Sequence, residues 1–291
     1  MLERELDLLA QAACLRRMGL VRPSAAGGRA SVELPFSQAN TNTGGNLHGG
    51  AIATAAVVAA RLAAASTERS DDAERRLSVV HQAISYLDSV RNEDVTARAR
   101  VLRRGRDTVH VTADLSAGTR AVATALIALR VGTTADESTR RAGSRAAAAD
   151  SQAVQARERA RLAISPFLTG AAMEVVATDP PWVCGRLPLE GNDGGEGRVC
   201  EGMLATLADF CGALASYAGG RIHRRRGGAT VALSLAVGYP PGGDVFGAAR
   251  LIAREGTSFT STVELWPADS AELCAAGTVS YRIGSPGAPI D

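Results

Sequence analysis

The sequence repeats itself, and that constrains the fold more than any local propensity does. HGGAIATAAVVAARLAAA begins at His48, and CEGMLATLADFCGALASYA begins at Cys200. Further on, AISYLDSVRNEDVTARARVLRRGRDTVHVTADL followed by AVATALIALRV is matched by AVGYPPGGDVFGAARLIAREGTSFTSTVEL followed by LCAAGTVSYRI. The offsets agree: 200 − 48 = 152, 239 − 86 = 153 for Tyr86 and Tyr239, and 256 − 105 = 151 for Gly105 and Gly256. Two halves written to one pattern must build the same structural unit twice.

Each half starts with a short strand (residues 30–36 and 183–189) and a loop rich in Gly and Asn. A long helix of small residues follows, about 49–65 and 201–218. Four strands of period-2 alternation come next, in the second half about 229–238, 245–254, 258–266 and 273–283. Gly105 and Gly256 mark hairpins between the middle strands. The class is α+β: two tandem units, each a long apolar helix wrapped by one antiparallel sheet, because a helix apolar on all sides needs cover on all sides. Polar–apolar helical segments precede the halves at 2–18 and 151–164. Thr, Ser, Ala and Arg without apolar period fill 133–150, which is expected to be a linker between a first unit, 1–132, and a second, 151–291.

Composition narrows the function classes. All 32 basic residues are Arg, against 30 acidic residues, for a net charge of +2. No segment carries the basic excess of a nucleic-acid binder. The lack of Lys removes Schiff-base and P-loop lysine chemistry. Arg-only usage with abundant Ala resembles codon bias, so the basic groups Arg103, Arg104, Arg106 and Arg224, Arg225, Arg226 are read first as solvated surface. The N-terminus has no secretory pattern, and the most apolar run, 51–65, is Ala-rich and interrupted by Arg61, so no membrane span is expected. Five cysteines without a C-x-x-C pair argue against a disulfide framework or a zinc site and fit a reducing cytoplasm. No metal and no cofactor are expected. His81, His110 and His223 read as structural.

The stretch Asn42-Thr43-Gly44-Gly45-Asn46-Leu47-His48-Gly49-Gly50, followed by a small-residue helix and several strands, resembles the hotdog fold, and more narrowly the PaaI-like (4HBT-type) acyl-CoA thioesterases in a tandem double-hotdog form. In that family two units pair, and each site takes the Asn and the His-Gly-Gly from one unit and an Asp, nine residues after the His position, from the other. The first half has Asn42, His48, Gly49 and Gly50 but Val57 at the Asp position. The second half has Asp209, but Cys200-Glu201 replaces His-Gly and Gly194 stands at the Asn position. Each half lacks what the other keeps. The resemblance therefore implies one complete composite site and one dead mirror site. It also implies an acyl-CoA substrate and a homodimer of the double-unit chain.

Thioester hydrolysis needs an oxyanion donor and an acceptor for the proton of water, or a nucleophile. Gly49 falls at a helix N-terminus, where backbone N–H groups lack intrahelical partners and no side chain blocks approach. Asp209 would serve as general base, or as nucleophile through a mixed anhydride. His48 would orient the loop or assist at the carbonyl, and Asn42 would hold water or thioester. The resemblance also implies substrate contacts at Gly50 and at a Ser or Thr on the strand after the Asp helix; alignment on Tyr239 puts Ala232 there, with Thr230 and Ser234 two residues either side on the same face by period-2 counting. A thiolate at Cys200 would be stabilised by its helix start, but it lies at the degenerate end. Three other readings compete: a non-catalytic acyl-CoA binding protein, a hotdog dehydratase or hydratase, and a structural subunit. A carboxylate beside a thioester speaks against mere binding. Neither helix carries the Asp and His pair of a dehydratase.

Overall fold

The computed structural model of the chain describes residues 1–68, 75–132, 165–179, 182–220, 227–270 and 272–284. The expected linker 133–150, the helical segment 151–164, His223 and Arg224, Arg225 and Arg226 lie outside them. Two short helices come first, α1 (Leu2–Gln11) and α2 (Ala13–Met18), then β1 (Val21–Ala26), β2 (Arg29–Leu34) and α3 (Gly49–Ala65). The strands β3 (Arg76–Tyr86), β4 (Val95–Arg104), β5 (Thr108–Ala117) and β6 (Arg120–Gly132) complete the first unit. The second repeats the order with α4 (Pro166–Gly170), β7 (Glu174–Asp179), β8 (Trp182–Leu187), α5 (Glu201–Gly220), β9 (Gly228–Val237), β10 (Val245–Glu255), β11 (Ser258–Pro267) and β12 (Ala275–Ile283).

All these strands join one antiparallel sheet in the order β1-β2-β4-β5-β6-β3-β9-β12-β11-β10-β8-β7. The second half of that order is the first reversed, so the units meet about a pseudo-twofold axis. The axis runs through the β3–β9 seam, where Gln82 pairs with Leu235, its own repeat mate (235 − 82 = 153). The seam makes the sheet continuous and leaves both units without an open inner edge.

Helix α3 is almost wholly buried; between Gly50 and Ala65 only Arg61 is not. It packs on β2, β4 and β5, and α5 packs on β8, β10, β11 and β12. The two helices also cross each other. A Cβ on Gly50 would stand 2.8 Å from Thr206 Cγ2, and one on Gly202 would stand 2.6 Å from Thr54 Cα. Gly50 and Gly202 are repeat mates, as are Thr54 and Thr206. Each Thr hydroxyl donates back to the carbonyl four residues earlier on its own helix, Thr54 to Gly50 at 2.8 Å and Thr206 to Gly202 at 3.2 Å. The Gly-x-x-x-Thr pattern thus lets two backbones nearly touch without leaving a buried hydroxyl unpaired. Gly202→Ala is expected to introduce strain of about 3 kcal/mol against an immovable Cα, partly offset by about 1 kcal/mol of helix propensity. A urea melt should show a net loss near 2 kcal/mol; a midpoint equal to wild type would show that the helices do not touch there.

Two details depart from the sequence reading. The segment 2–18 is broken at Ala12, whose ψ of 124° is extended, giving two helices. The sheet has an additional outer strand in each unit, β1 and β7. Strand β1 is largely exposed and contains Pro23, which an edge strand tolerates because no ladder hydrogen bond is asked of it.

Candidate active site

The loop before α3 is closed by its own amides. Asn42 Oδ1 accepts from the Gly44 and Asn46 N–H groups at 2.8 and 3.2 Å, and the Asn42 N–H donates to Asn46 O at 2.8 Å. Asn42 therefore uses its side-chain oxygen to shape the loop. His48 follows as the N-cap of α3, its Nδ1 accepting from the Gly50 N–H at 2.9 Å. An accepting Nδ1 places the ring proton on Nε2. Burial pushes the imidazole pKa down to about 4, so the ring is neutral at physiological pH. It stacks on Phe167, centroids 4.8 Å apart, and the Phe167 N–H donates to Thr41 O at 3.1 Å. Phe167 belongs to α4, so the second unit grips the loop of the first.

These contacts leave one donor open. The His48 carbonyl accepts from the Ala51 and Ile52 N–H groups. The Gly50 N–H is taken by His48. The Gly49 N–H, at the positive end of the helix dipole, has no hydrogen-bond partner among the described residues. Gly50 was expected to contact substrate; its N–H is already committed and the space of its missing Cβ is filled by Thr206, so its place is in the helix crossing.

Asp209 is the acid expected from the second unit. It is buried inside α5, and the Thr230 hydroxyl donates to its Oδ1. Burial pushes the carboxyl pKa up to about 6, and the bond from Thr230 holds it back from rising further. The helices cross antiparallel, Gly50 against Thr206 and Thr54 against Gly202. One more turn of that register carries Asp209 towards the start of α3. Tyr86 connects the two: its hydroxyl donates to Gly49 O at 3.1 Å, and its pKa is raised well above the usual value first by burial and then by the Asp209 charge.

Thr230 and Ser234 do not share a face. Between β9 and β12 the register shifts so that Tyr281 pairs with Thr230 and Ser280 with Ala232, leaving Val231 as a bulge. The bulge reverses the alternation. Thr230 reaches Asp209, while Ser234 points to the other side of the sheet, where its hydroxyl lies 3.1 Å from His81 Nε2 across the seam. Ser234 is thereby turned away from Asp209 and Thr230. Among the described residues no cluster of three His, Cys, Asp or Glu side chains is placed to hold a metal, and no helix is long and apolar enough to cross a membrane.

The mirror end is built from the same backbone with different groups. Cys200 caps α5 where His48 caps α3, and the Cys14 thiol of α2 hydrogen-bonds it, which holds the Cys14 proton above its usual range. Cys14 N–H donates to Asp193 O at 3.4 Å, as Phe167 N–H does to Thr41 O. Glu201 stands at the Gly49 position. Its Oε2 lies 2.6 Å from Arg61 Nη1, and its Oε1 accepts from the Val79 N–H at 2.7 Å. Arg61 also binds Glu5 of α1, with Nε at 2.7 Å and Nη2 at 3.0 Å. Val57 lines a cavity of about 90 Å³ with Cys200, Glu201 and Leu8. Val57 occupies, in the first unit, the repeat position that Asp209 holds in the second.

Residues 44–124 match the family described as the thioesterase superfamily. The tesB protein of Mycobacterium avium subs paratuberculosis is similar in structure over 96% of this chain and 99% of its own, at 15% identity and a TM-score of 0.61. An acyl-CoA thioesterase II, TesB2, from Mycobacterium marinum is similar over 88% and 94%, at 12% identity and 0.60. A conserved protein with a hot dog fold from Alicyclobacillus acidocaldarius is similar over 91% and 96%, at 16% and 0.57. These full-length likenesses show that the chain has the fold of those proteins, and through the last of them that it is a hotdog fold, here with both halves in one polypeptide. No curated protein matches the chain.

Proposed function

We propose, from the match of residues 44–124 to the thioesterase superfamily, that the chain hydrolyses acyl-CoA-type thioesters at one composite site between the units, with the Gly49 amide as oxyanion donor and Asp209 as general base or nucleophile. One observation supports the reading: Tyr86, whose hydroxyl donates to Gly49 O at 3.1 Å, also lies within reach of the Asp209 charge of the other unit.

The chemistry follows from the two groups. A thioester carbonyl that accepts from the Gly49 N–H gains negative charge on oxygen as it becomes tetrahedral. A preorganised donor in a water-poor site stabilises that charge by about 3 kcal/mol. With a pKa of about 6, Asp209 is ionised at neutral pH yet basic enough to take a proton from water. The anhydride route starts from the same anion, and ¹⁸O found in Asp209 after a single turnover in ¹⁸O-water would mark it, since label reaches the carboxylate only by water attack on the Asp209 carbonyl of an anhydride. Thr230 aims the carboxylate, and neutral His48 holds the first turn of α3 and presents Nε2–H. Asn42 supports the loop. A homodimer and a cytoplasmic place belong to the same proposal.

The mirror end is proposed to be inert. Val57→Ala should leave kcat and KM for any acyl-CoA that turns over within about twofold of wild type, the ordinary result of a substitution distant from the chemistry. A fall comparable with that of an Asp209 variant would show the halves to be paired the other way. The first test of the whole reading is a panel of acyl-CoAs assayed with wild type and Asp209→Asn.

A further inference from the structure

We infer that Tyr86 is a positioning residue of this site, holding the Gly49–Gly50 peptide and through it the Gly49 backbone, so that the open N–H of the preceding peptide stays aimed where the thioester oxygen develops charge. The inference rests on the thioesterase reading above.

The two peptides that flank Gly49 differ in how they are held. The peptide before it, His48–Gly49, is anchored at its carbonyl by the Ala51 and Ile52 N–H groups. The peptide after it, Gly49–Gly50, is clamped at both ends: its N–H by His48 Nδ1 at 2.9 Å and its carbonyl by the Tyr86 hydroxyl at 3.1 Å. First-turn carbonyls of a helix normally bond only to the N–H four residues on. The Tyr86 hydroxyl adds a second, sideways anchor, and glycine needs one because it has the widest backbone freedom of any residue.

The ring adds a steric restraint. A Cβ on Gly49 would lie 3.3 Å from Tyr86 Cε1 and 3.4 Å from Cζ, tighter than ordinary contact. The hydroxyl end of the ring therefore fills the space a side chain at position 49 would need. Position 201, the repeat mate of Gly49, is served differently. There the carbonyl accepts from Gln82 Nε2 at 3.3 Å, and the side chain is a carboxylate bound to Arg61. The tyrosine clamp on a bare glycine thus belongs to the end that keeps the open amide.

The test compares wild type, Tyr86→Phe and Asp209→Asn on the same acyl-CoA panel. Tyr86→Phe keeps the ring on Gly49 and removes the hydroxyl anchor. We expect kcat to fall on the order of tenfold, less than the loss of a direct oxyanion donor. KM, and the Kd of a non-hydrolysable S-alkyl-CoA thioether that has no carbonyl, should stay within about twofold. The acid limb of the pH–rate profile should not move, since the carboxylate is untouched. Replacing Tyr86 by 3-fluorotyrosine, whose hydroxyl stays protonated at neutral pH and can still donate, should restore kcat and guards against a phenylalanine variant that folds poorly. An unchanged kcat in Tyr86→Phe, a parallel rise in thioether Kd, a shifted acid limb, or no rescue would each overturn the inference while leaving the thioesterase reading intact. A wild type that hydrolyses no member of the panel defeats both.

Discussion

Asp209→Asn is expected to lower acyl-CoA hydrolysis by about a thousandfold while making the protein more stable at neutral pH. The activity loss follows from removing the one carboxylate that can accept a proton or attack the carbonyl, an effect of about 10²–10⁴ for a general base. The stability gain follows from the same burial that suits the group to catalysis. An unfolded Asp titrates near 3.8, whereas folded Asp209 titrates at about 6. Between those values the folded protein binds more protons than the unfolded chain, so this group's contribution to stability falls as pH rises through the window. Above pH 6 the ionised carboxylate costs about 3 kcal/mol. Asn keeps an oxygen for the Thr230 hydroxyl and carries no charge. Urea melts at pH 7.5 should favour the Asn variant by a few kcal/mol, and melts near pH 4 should show no difference. The wild-type rate should decline as pH drops through about 6, when the base becomes protonated. A variant that retains turnover removes Asp209 from the mechanism. A variant no more stable than wild type at pH 7.5 means that the carboxylate is not held against its own desolvation.

Which features were legible in the sequence depended on whether they were encoded locally or by duplication. The repeat offset located both long helices to within two residues at their C-terminal ends, because caps, apolar period and repeat mates all coincided. It also marked Asp209, a poor helix former in an apolar helix, by pointing to Val57 at the equivalent position. Contacts that depend on folding were not legible. Period-2 counting put Ser234 beside Thr230, and only the bulge at Val231 turns them apart. Gly50 reads from sequence as part of a binding loop, but what it admits is Thr206 from the other unit. Phe167 and Tyr86 carry no motif: one comes from the second unit to stack on His48, and the other is recognisable only once its hydroxyl is found on Gly49. The strand β1 escaped because an exposed edge containing Pro23 lacks the alternation that marks a half-buried strand.

Arg61→Met should be the most destabilising single substitution at the mirror end, by about 3–5 kcal/mol, without altering the chemistry at Asp209. Arg61 is the cation between two acids that are each only about 5% exposed in their side chains, Glu5 and Glu201. Burial works against its charge, and the two carboxylates more than offset that, so the guanidinium is held charged above its usual range. Replacing it with an apolar side chain of similar length keeps the packing but leaves two buried carboxylates facing each other. The acids then protonate or draw in water, and either response loosens α1 from α3. Neutralising both acids as well, with Glu5→Gln and Glu201→Gln on the Arg61→Met background, should recover most of the loss, since the penalty comes from unpaired charge rather than lost volume. Assayed well below its melting temperature, Arg61→Met should keep kcat within about twofold of wild type, because Arg61 lies at the end where Val57, Cys200 and Glu201 replace Asp, His and Gly. A folded Arg61→Met protein with a large fall in kcat would mean that the two ends act together. If both ends were intact sites, a glycine amide would have to remain open at each. With Glu201 drawn into an ion pair, the second helix start has instead become part of what holds α1 in place. On the proposed reading the halves lack complementary groups because one end keeps the chemistry while the other, with Glu201 in an ion pair, serves packing.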